Sequence, residues 1–318
     1  MKKFAFIGAG SFIFTRNLVR DLLSFPDFAD CELALMDTDA ERLERIAAAV
    51  RKINAAMNTH AKITPTQSRA EALDGADGVL CTVFNGGIDV WRYDIEIPMQ
   101  FGVDINIGDT RSVSGIFRAL RTIPVMFDFA RDMEEVCPDA WFLNYTNPMA
   151  MLSGAMQRYT GVKTVGLCHS VQVCASGLME RVGMGDQYDE QVQWKIAGIN
   201  HQAWLLEISK NGQDLYPEIK RRAAQITEKH NDMVRLEIMK RFGYYVTESS
   251  EHNAEYMPFF IKDKYPELFD RFNIPLDEYP RRCVRQIAEW EKRRDELTKD
   301  PHLTHTRSRE YASYIMEA

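Results

Sequence analysis

An α/β fold, a doubly wound parallel sheet followed by a second mixed α/β lobe, is predicted from three observations. The apolar stretch Lys3–Ile7 runs straight into the glycine turn Gly8-Ala9-Gly10-Ser11, and residues 15–25 then show helical periodicity. A second apolar stretch, residues 31–36 (CELALM), ends on the acidic run Asp37-Thr38-Asp39. Short buried-type stretches at 76–84, 141–143 and 162–167 then recur among longer segments, the spacing of βαβ units. Together these predict a Rossmann-like first domain over residues 1–195 and a second, substrate lobe over 196–318.

Each element has a physical reason. A strand that turns directly into a helix needs backbone without Cβ, so that a pyrophosphate can lie against the N–H groups of the first helical turn. Gly8, Gly10 and Ser11 fit that place. An acid after the second strand accepts hydrogen bonds from ribose hydroxyls and repels a 2′-phosphate, so Asp37 favours NAD over NADP. The loop reads G-A-G-S-F-I-F and lacks the third glycine of the usual fingerprint, so an ordinary glycine turn is the competing reading. Residues 40–57 read as a helix with Asp39 as its N-cap. Asn85-Gly86-Gly87 follows the strand at 76–84, at the sheet end that faces a cofactor, which adds Asn85 to the expected cofactor residues. The strand at 141–143 ends in Asn144-Tyr145-Thr146-Asn147-Pro148, whose amides could orient a substrate hydroxyl or the nicotinamide ribose, and the strand at 162–167 delivers Cys168 and His169 to the same edge.

Cys168 and, downstream, His201 in Ala197-Gly198-Ile199-Asn200-His201 are the most informative pair. Taken singly, one reads as a small buried hydrophobe and the other as a core histidine. A thiol and an imidazole in a chain with a nicotinamide site point instead to a metal, and to a reaction in which oxidation acidifies a neighbouring C–H.

Composition bounds the rest. The 318 residues carry a net charge of −7, with 45% hydrophobic and 27% charged residues, a globular profile with no Lys/Arg-rich face for nucleic acid. The six cysteines, at 31, 81, 137, 168, 174 and 283, have no disulfide spacing, so a reducing, cytoplasmic compartment is expected. The apolar run after Met1 is too short for a signal peptide, and no stretch has the length and apolarity to span a membrane.

The stretches FIGAGS, ALMDTD, GDT with GIFRALRTIPV, CPDAWFLNYTNPMAM, VGLCHSVQ, AGINH, FGYYVTESSEHNAEYMPFFIK, PLDEYPRRCVRQ and SREYAS, spread over the whole chain, resemble the NAD- and manganese-dependent glycosidases of glycoside hydrolase family 4, most closely their α-galactosidase branch. The resemblance implies hydrolysis by oxidation at sugar C3, loss of the C2 proton, elimination at C1 and addition of water, with NAD regenerated; this family is an exception to two-carboxylate glycoside hydrolysis. It implies that Cys168 and His201 ligate manganese or another divalent ion, and that Tyr256 is the C2 base, with Tyr244 and Tyr245 as alternatives. It implies an active-site role for Asp109, in sugar binding or metal tuning, and a substrate contact for Asn147. His169 is implied to be either the acid that protonates the leaving oxygen or a substrate contact, and the Cys-His-Ser form implies unphosphorylated α-glycosides. Galactose, glucose and uronic acids stay open. A homo-oligomer, dimer or tetramer, is expected.

Two departures are visible. Arg111-Ser112-Val113-Ser114-Gly115 stands where relatives carry a Gly/Pro-rich loop. The C-terminal part reads as short, ending in an expected helix just after Ser308–Ser313. Two other functions compete. A 2-hydroxy-acid dehydrogenase would need an Asp-x-x-Arg between Pro148 and His201, which is absent. An inactive cofactor-binding remnant would bind NAD without turnover.

Overall fold

Side-chain alternation along strand β1 (Lys3–Ile7) sets the architecture: Phe4 and Phe6 face one side, Ala5 and Ile7 the other, and all four are buried. A strand apolar on both faces needs cover on both, which is the condition of a parallel sheet flanked by helices. The computed structural model describes residues 1–276, 281–288 and 291. In chain order the elements of the first half are α1 (Phe12–Leu23), β2 (Glu32–Met36), α2 (Ala40–Ala56), β3 (Lys62–Thr66), α3 (Arg69–Leu73), β4 (Gly78–Cys81), α4 (Gly87–Met99), α5 (Ser112–Val136), β5 (Trp141–Asn144), α6 (Met149–Tyr159) and β6 (Lys163–Gly166). They are followed by α7 (Cys174–Arg181), β7 (Val192–Ile199), β8 (Gln202–Lys210), β9 (Gln213–Asp214), α8 (Tyr216–Ala223), α9 (Met233–Phe242), β10 (Tyr245–Val246), α10 (Ser250–Tyr256) and α11 (Glu267–Arg271). The chain divides into two units. One holds Met1–Gly87 and Arg118–Leu167, the other Ile88–Phe117 and Cys168–Cys283.

In the first unit six strands run parallel in the order β3-β2-β1-β4-β5-β6. The order reverses between β1 and β4, the topological switch point of a doubly wound sheet, where ligands bind beyond the carboxyl ends of the strands. Leu18 and Leu22 of α1 and Ile46 and Val50 of α2 cover the Phe4/Phe6/Leu33/Leu35 face. Met126, Phe129 and Met133 of α5 and Leu152 and Met156 of α6 cover the Ala5/Ile7/Ala34/Val79 face. The predicted α/β fold is therefore present, with strand ends shifted by a few residues. Asp39 caps α2 as expected, accepting the Arg42 N–H at 3.1 Å. Strand β3 was not expected. Its sequence, KITPT, has no apolar run because it is an edge strand with exposed or half-buried side chains, and its Pro65 is tolerated there.

The second unit is built on an antiparallel sheet, β10-β8-β7 with β9 beside β8. Leu178 of α7, Ile219 of α8 and Met239 of α9 pack with Leu205, Ile208 and Tyr245 of this sheet. Val234 and Ile238, on the other side of α9, pack with Ala254 of α10, Phe260 and Phe272. Arg281 and Arg285 are exposed, in keeping with a solvated basic face. The stretch Ser308–Ser313 and the expected C-terminal helix lie outside the described residues. No helix among the described residues is long and apolar enough to cross a membrane.

Replacing Phe6, which is 1% exposed, by alanine removes a ring that neighbouring helices cannot refill. Phe6→Ala should destabilise the first unit by about 3–5 kcal/mol, read as a lower urea midpoint by far-ultraviolet circular dichroism.

Candidate functional site

The first unit presents a backbone site. Gly8, with φ +85°, turns the chain off β1, and a Cβ there would sit 3.1 Å from the Thr82 carbonyl. Thr82 closes the same corner by donating its hydroxyl to the Gly8 carbonyl at 3.0 Å. A Cβ on Gly10 would lie 2.7 Å from Asp37 Oδ2, the oxygen that accepts the Gly10 N–H at 2.7 Å. Its other oxygen accepts the Asp39 N–H at 3.0 Å. Ser11 precedes α1, whose first turn holds no acidic residue and receives no side-chain cap, leaving its N–H groups for an anion. Asn85 is half-buried and donates its amide to the Arg121 carbonyl at 2.8 Å. Closely packed glycines, uncapped helical N–H groups and an acid at the second strand end fit a dinucleotide.

The second unit presents a side-chain site. Strands β7 and β8 form a hairpin whose two-residue turn is Asn200-His201. Gly198, with φ +140°, allows the backbone to close there, since a Cβ would meet Ala203 Cα at 2.6 Å. The turn buries His201 to 5% exposure. Glu248 lies between β10 and α10, and Ser249 caps α10 by accepting the His252 N–H at 3.5 Å. Cys168 follows β6 by two residues. Donor atoms of Cys168, His201 and Glu248 lie within 4.8 Å of one another, with His201 Nε2 3.3 Å from Glu248 Oε2. Donor atoms of Asp109, His201 and His252 form a second such group. His201 Nδ1 is buried without a hydrogen-bond partner.

Charge couples these groups. Burial alone would push the Cys168 thiol up, but its hydrogen bond to His201 and the imidazolium charge outweigh burial and hold it below its ordinary value. Burial would lower His201, yet its bond to Cys168 and the charge of Glu248 hold it up at about 9. Glu248 is pushed up by burial and held down overall by His201 and His252. His252 is pulled down by burial and raised overall by Glu255 and Asp109. Tyr256 donates or accepts at His252 Nδ1, 2.8 Å away, and its ring stacks on His252. Burial first, then Asp109, Glu255 and Glu248, push the phenol well above its ordinary range. Arg111 stands with its guanidinium 5.6 Å above the Tyr256 ring and donates to the Gln202 side chain. Three carboxylates and a thiol of lowered pKa outnumber the two imidazoles, and a thiolate–imidazole–carboxylate donor set suits a borderline divalent ion. The group fits.

Of the residues expected from sequence, the structure brings Asp109, Cys168, His201 and Tyr256 together in the second unit. His169 is half-buried beside Cys168, and its charge is felt at Glu248. Asn147 lies in the first unit, at the end of β5 with Asn85 and the glycine loop. Tyr245 is fully buried and bonds Asp232 at 2.6 Å, and Tyr244 is 44% exposed against Tyr216, so neither stands with the cluster. Sequence reasoning missed Glu248, His252, Glu255 and Arg111. The stretch Glu248–Tyr256 held a signal, since an acid and an imidazole four residues apart flank a capped helix start.

A model described as the family 4 glycosyl hydrolase matches residues 3–184, and one for the family 4 C-terminal domain matches 196–318. The chain is 54% identical over 320 residues to an alpha-galactosidase of Bacillus subtilis (strain 168), covering 100% of this chain and 73% of that protein. It is 36% identical to an alpha-galactosidase of Rhizobium meliloti (strain 1021), covering 99% of this chain and 66% of that one. A crystal structure of a 6-phospho-alpha-glucosidase from gut microorganisms, in complex with NAD and Mn2+, superposes with a TM-score of 0.75 at 20% identity, covering 99% of this chain and 73% of that one, which shows a common fold.

The thiol shifts have a chemical readout. In metal-free protein at neutral pH, iodoacetamide should alkylate Cys168 well ahead of Cys31, Cys81, Cys137 and Cys174, whose thiols burial pushes up to about 12, 11, 11 and 12. His201→Gln should slow that reaction at pH 7 and move its onset to higher pH, since the imidazolium holding the thiol down is gone. Peptide mass spectrometry reads both, and equal labelling in the two proteins would show the pair to be uncoupled.

Proposed function

The chain belongs to the family 4 glycosyl hydrolases, and on that premise we propose that it hydrolyses unphosphorylated α-glycosides, α-galactosides foremost, with NAD and a divalent metal such as manganese. The observation that carries this reading is the convergence of Cys168, His201 and Glu248 beside Tyr256 in a chain whose first unit ends its strands in a dinucleotide-type loop. The sugar assignment is supported by the two alpha-galactosidase relatives. A hydroxy-acid dehydrogenase would use an imidazole as its acid and base, but it would leave the grouping of Cys168 and Glu248 around His201 without a role.

When bound, NAD+ supplies reversible hydride uptake at sugar C3, and the divalent ion supplies Lewis acidity at the neighbouring sugar oxygens. Gly8, Gly10 and Ser11 would hold the pyrophosphate, Asp37 the ribose, and Asn85 would line the same strand ends. Cys168 and His201 would hold the metal, with Glu248 close enough to join them. Tyr256, whose phenol the Arg111 guanidinium over its ring and a bound divalent ion would bring down from the raised value that its carboxylate neighbours impose, takes the C2 proton of the oxidised sugar, and the electron pair left at C2 expels the C1 oxygen. His169 protonates the departing oxygen or holds it by a hydrogen bond. Asp109 binds sugar hydroxyls, and Asn147 orients the substrate. Water adds at C1, C2 regains a proton and C3 regains its hydride, so that the sum is hydrolysis with no net oxidation.

The division near residue 195 into cofactor and substrate parts belongs to the same proposal. Its support is that the two family models part between 184 and 196, although residues 88–117 and 168–195 pack with the later unit. A homo-oligomer is supported by Val113, Ile116, Phe117 and Leu120, spaced along one face of α5 and 41–61% exposed. A cytoplasmic location is supported by the buried thiols at 31, 81, 137 and 174, none of them paired.

Hydrolysis of nitrophenyl α-galactoside should require NAD+, Mn2+ and a reductant together, and a chelator should abolish it. Full activity in cofactor-stripped, chelated protein would refute the reading. Tyr256→Phe should lower turnover by about 10²–10⁴-fold, the usual contribution of a positioned base, with little change in NAD or Mn2+ affinity. In D2O the wild-type product should carry deuterium at C2; product free of that label, from active enzyme, would rule out elimination.

A further inference from the structure

Glu255 adjoins Tyr256, and its carboxylate reaches the backbone of another segment, with Oε1 also 3.9 Å from His252 Nδ1. Its side chain is 2% exposed. One oxygen accepts the N–H groups of Asn106 at 3.0 Å and Ile107 at 2.9 Å, and both oxygens lie within 3.2 Å of the Gly108 N–H. The Asn106 side chain returns a bond to the Glu251 carbonyl at 3.0 Å. Gly108 has φ +67°, and a Cβ on it would press Ile105 and Ser114 at 2.8 and 2.9 Å, so the loop has one path only. That path ends at Asp109, whose Oδ1 lies 4.0 Å from His252 Nδ1 and takes the Thr110 hydroxyl at 2.8 Å.

Three consecutive amides aimed at one buried carboxylate form a concave anion site whose anion belongs to the protein. We propose that Glu255 is a positioning residue. By holding the amides of Asn106, Ile107 and Gly108, it fixes Asp109 against α10, so that Asp109 from the loop and Tyr256 from the helix keep one spacing around His252. The inference rests on the functional reading in which Asp109 and Tyr256 act on the sugar. Charge alone would not need three successive donors; geometry does. A displacement of about 1 Å at a reacting group can cost about 10²-fold in rate.

The test is Glu255→Gln, which keeps the shape but turns an NH2 toward the loop amides. In the full chain with NAD+ and Mn2+, kcat on nitrophenyl α-galactoside should fall by about 10²-fold, while the Mn2+ dissociation constant, read by electron paramagnetic resonance, changes by less than about threefold. Hydrogen exchange at Asn106, Ile107 and Gly108 should speed up by about tenfold or more. In an Asp109→Asn background the same change should cost little further, because Glu255 acts through Asp109. If Glu255→Gln does not fold, Glu255→Asp, which keeps the charge but shortens the reach, should show the same pattern more weakly. Unchanged exchange at the three amides, or losses that add fully to those of Asp109→Asn, would overturn the proposal. Absence of glycosidase activity in the wild type would refute the functional reading instead, and the exchange measurement would still decide whether Glu255 anchors the loop.

Discussion

The coupling of half-buried Cys168 to buried His201 is the interaction on which the second unit's site depends. Neither group tolerates burial in its charged form alone: burial pushes the thiol up and the imidazole down. Each reverses the other's shift, and Glu248 adds its charge behind His201. The chain of opposite charges continues from Glu248 to His252 and on to Glu255 and Asp109. A buried ion pair is weak support for stability but strong support for one arrangement, since removing one partner leaves the other uncompensated.

The fold carries this cluster on three structural supports. Gly198 closes the hairpin so that residue 201 falls at the turn. Tyr245 and Arg235 are locked on buried Asp232, with the Arg235 guanidinium 4.6 Å above the Tyr245 ring, which fixes the chain leaving β10 for Glu248. Arg235 also donates to the Thr247 carbonyl at 3.3 Å, one residue before Glu248. The loop at 106–110 is tied to α10 by Glu255. Asp109, Glu248 and Tyr256 thus each sit next to a residue held by such a contact, and His201 lies three residues from Gly198.

The sequence announced the first unit well and the second only in part. Strand β1, its glycine turn, the cap of α2 and the strands around 78 and 141 were legible because each is a local signal: an apolar run, a missing Cβ, an Asx cap. Strand β3 was not, because an edge strand needs no apolar face. The long α4 and α5 passed without notice because both carry a proline, Pro98 and Pro124, inside the helix. In the site, Cys168 and His201 stood out as metal-type residues. Glu248, His252 and Glu255 did not, because a carboxylate or imidazole on a short capped helix or just before it looks the same in sequence whether it faces solvent or a buried partner 147 residues away, as Glu255 and Gly108 are.

The contrast between the two units follows from the kind of ligand that each would hold under the proposed function. A pyrophosphate is held by backbone N–H groups, so the sequence has only to supply glycines and a helix start, and a few contiguous residues suffice. Asp37 shows how compact such a site is: one of its oxygens closes on the Gly10 N–H, so the acid that would meet the ribose also shapes the phosphate loop. A metal and a proton-transferring phenol need side chains at set distances from several directions, and one continuous segment cannot supply them. Residues 109, 168, 201, 248 and 252–256 are therefore drawn from four separate stretches, and their meaning lies in the supports that bring them together. A substitution at Gly198 or Asp232, far from any reacting atom, bears on that site as directly as one at a ligand. In the first unit, the glycine turn itself is both support and site.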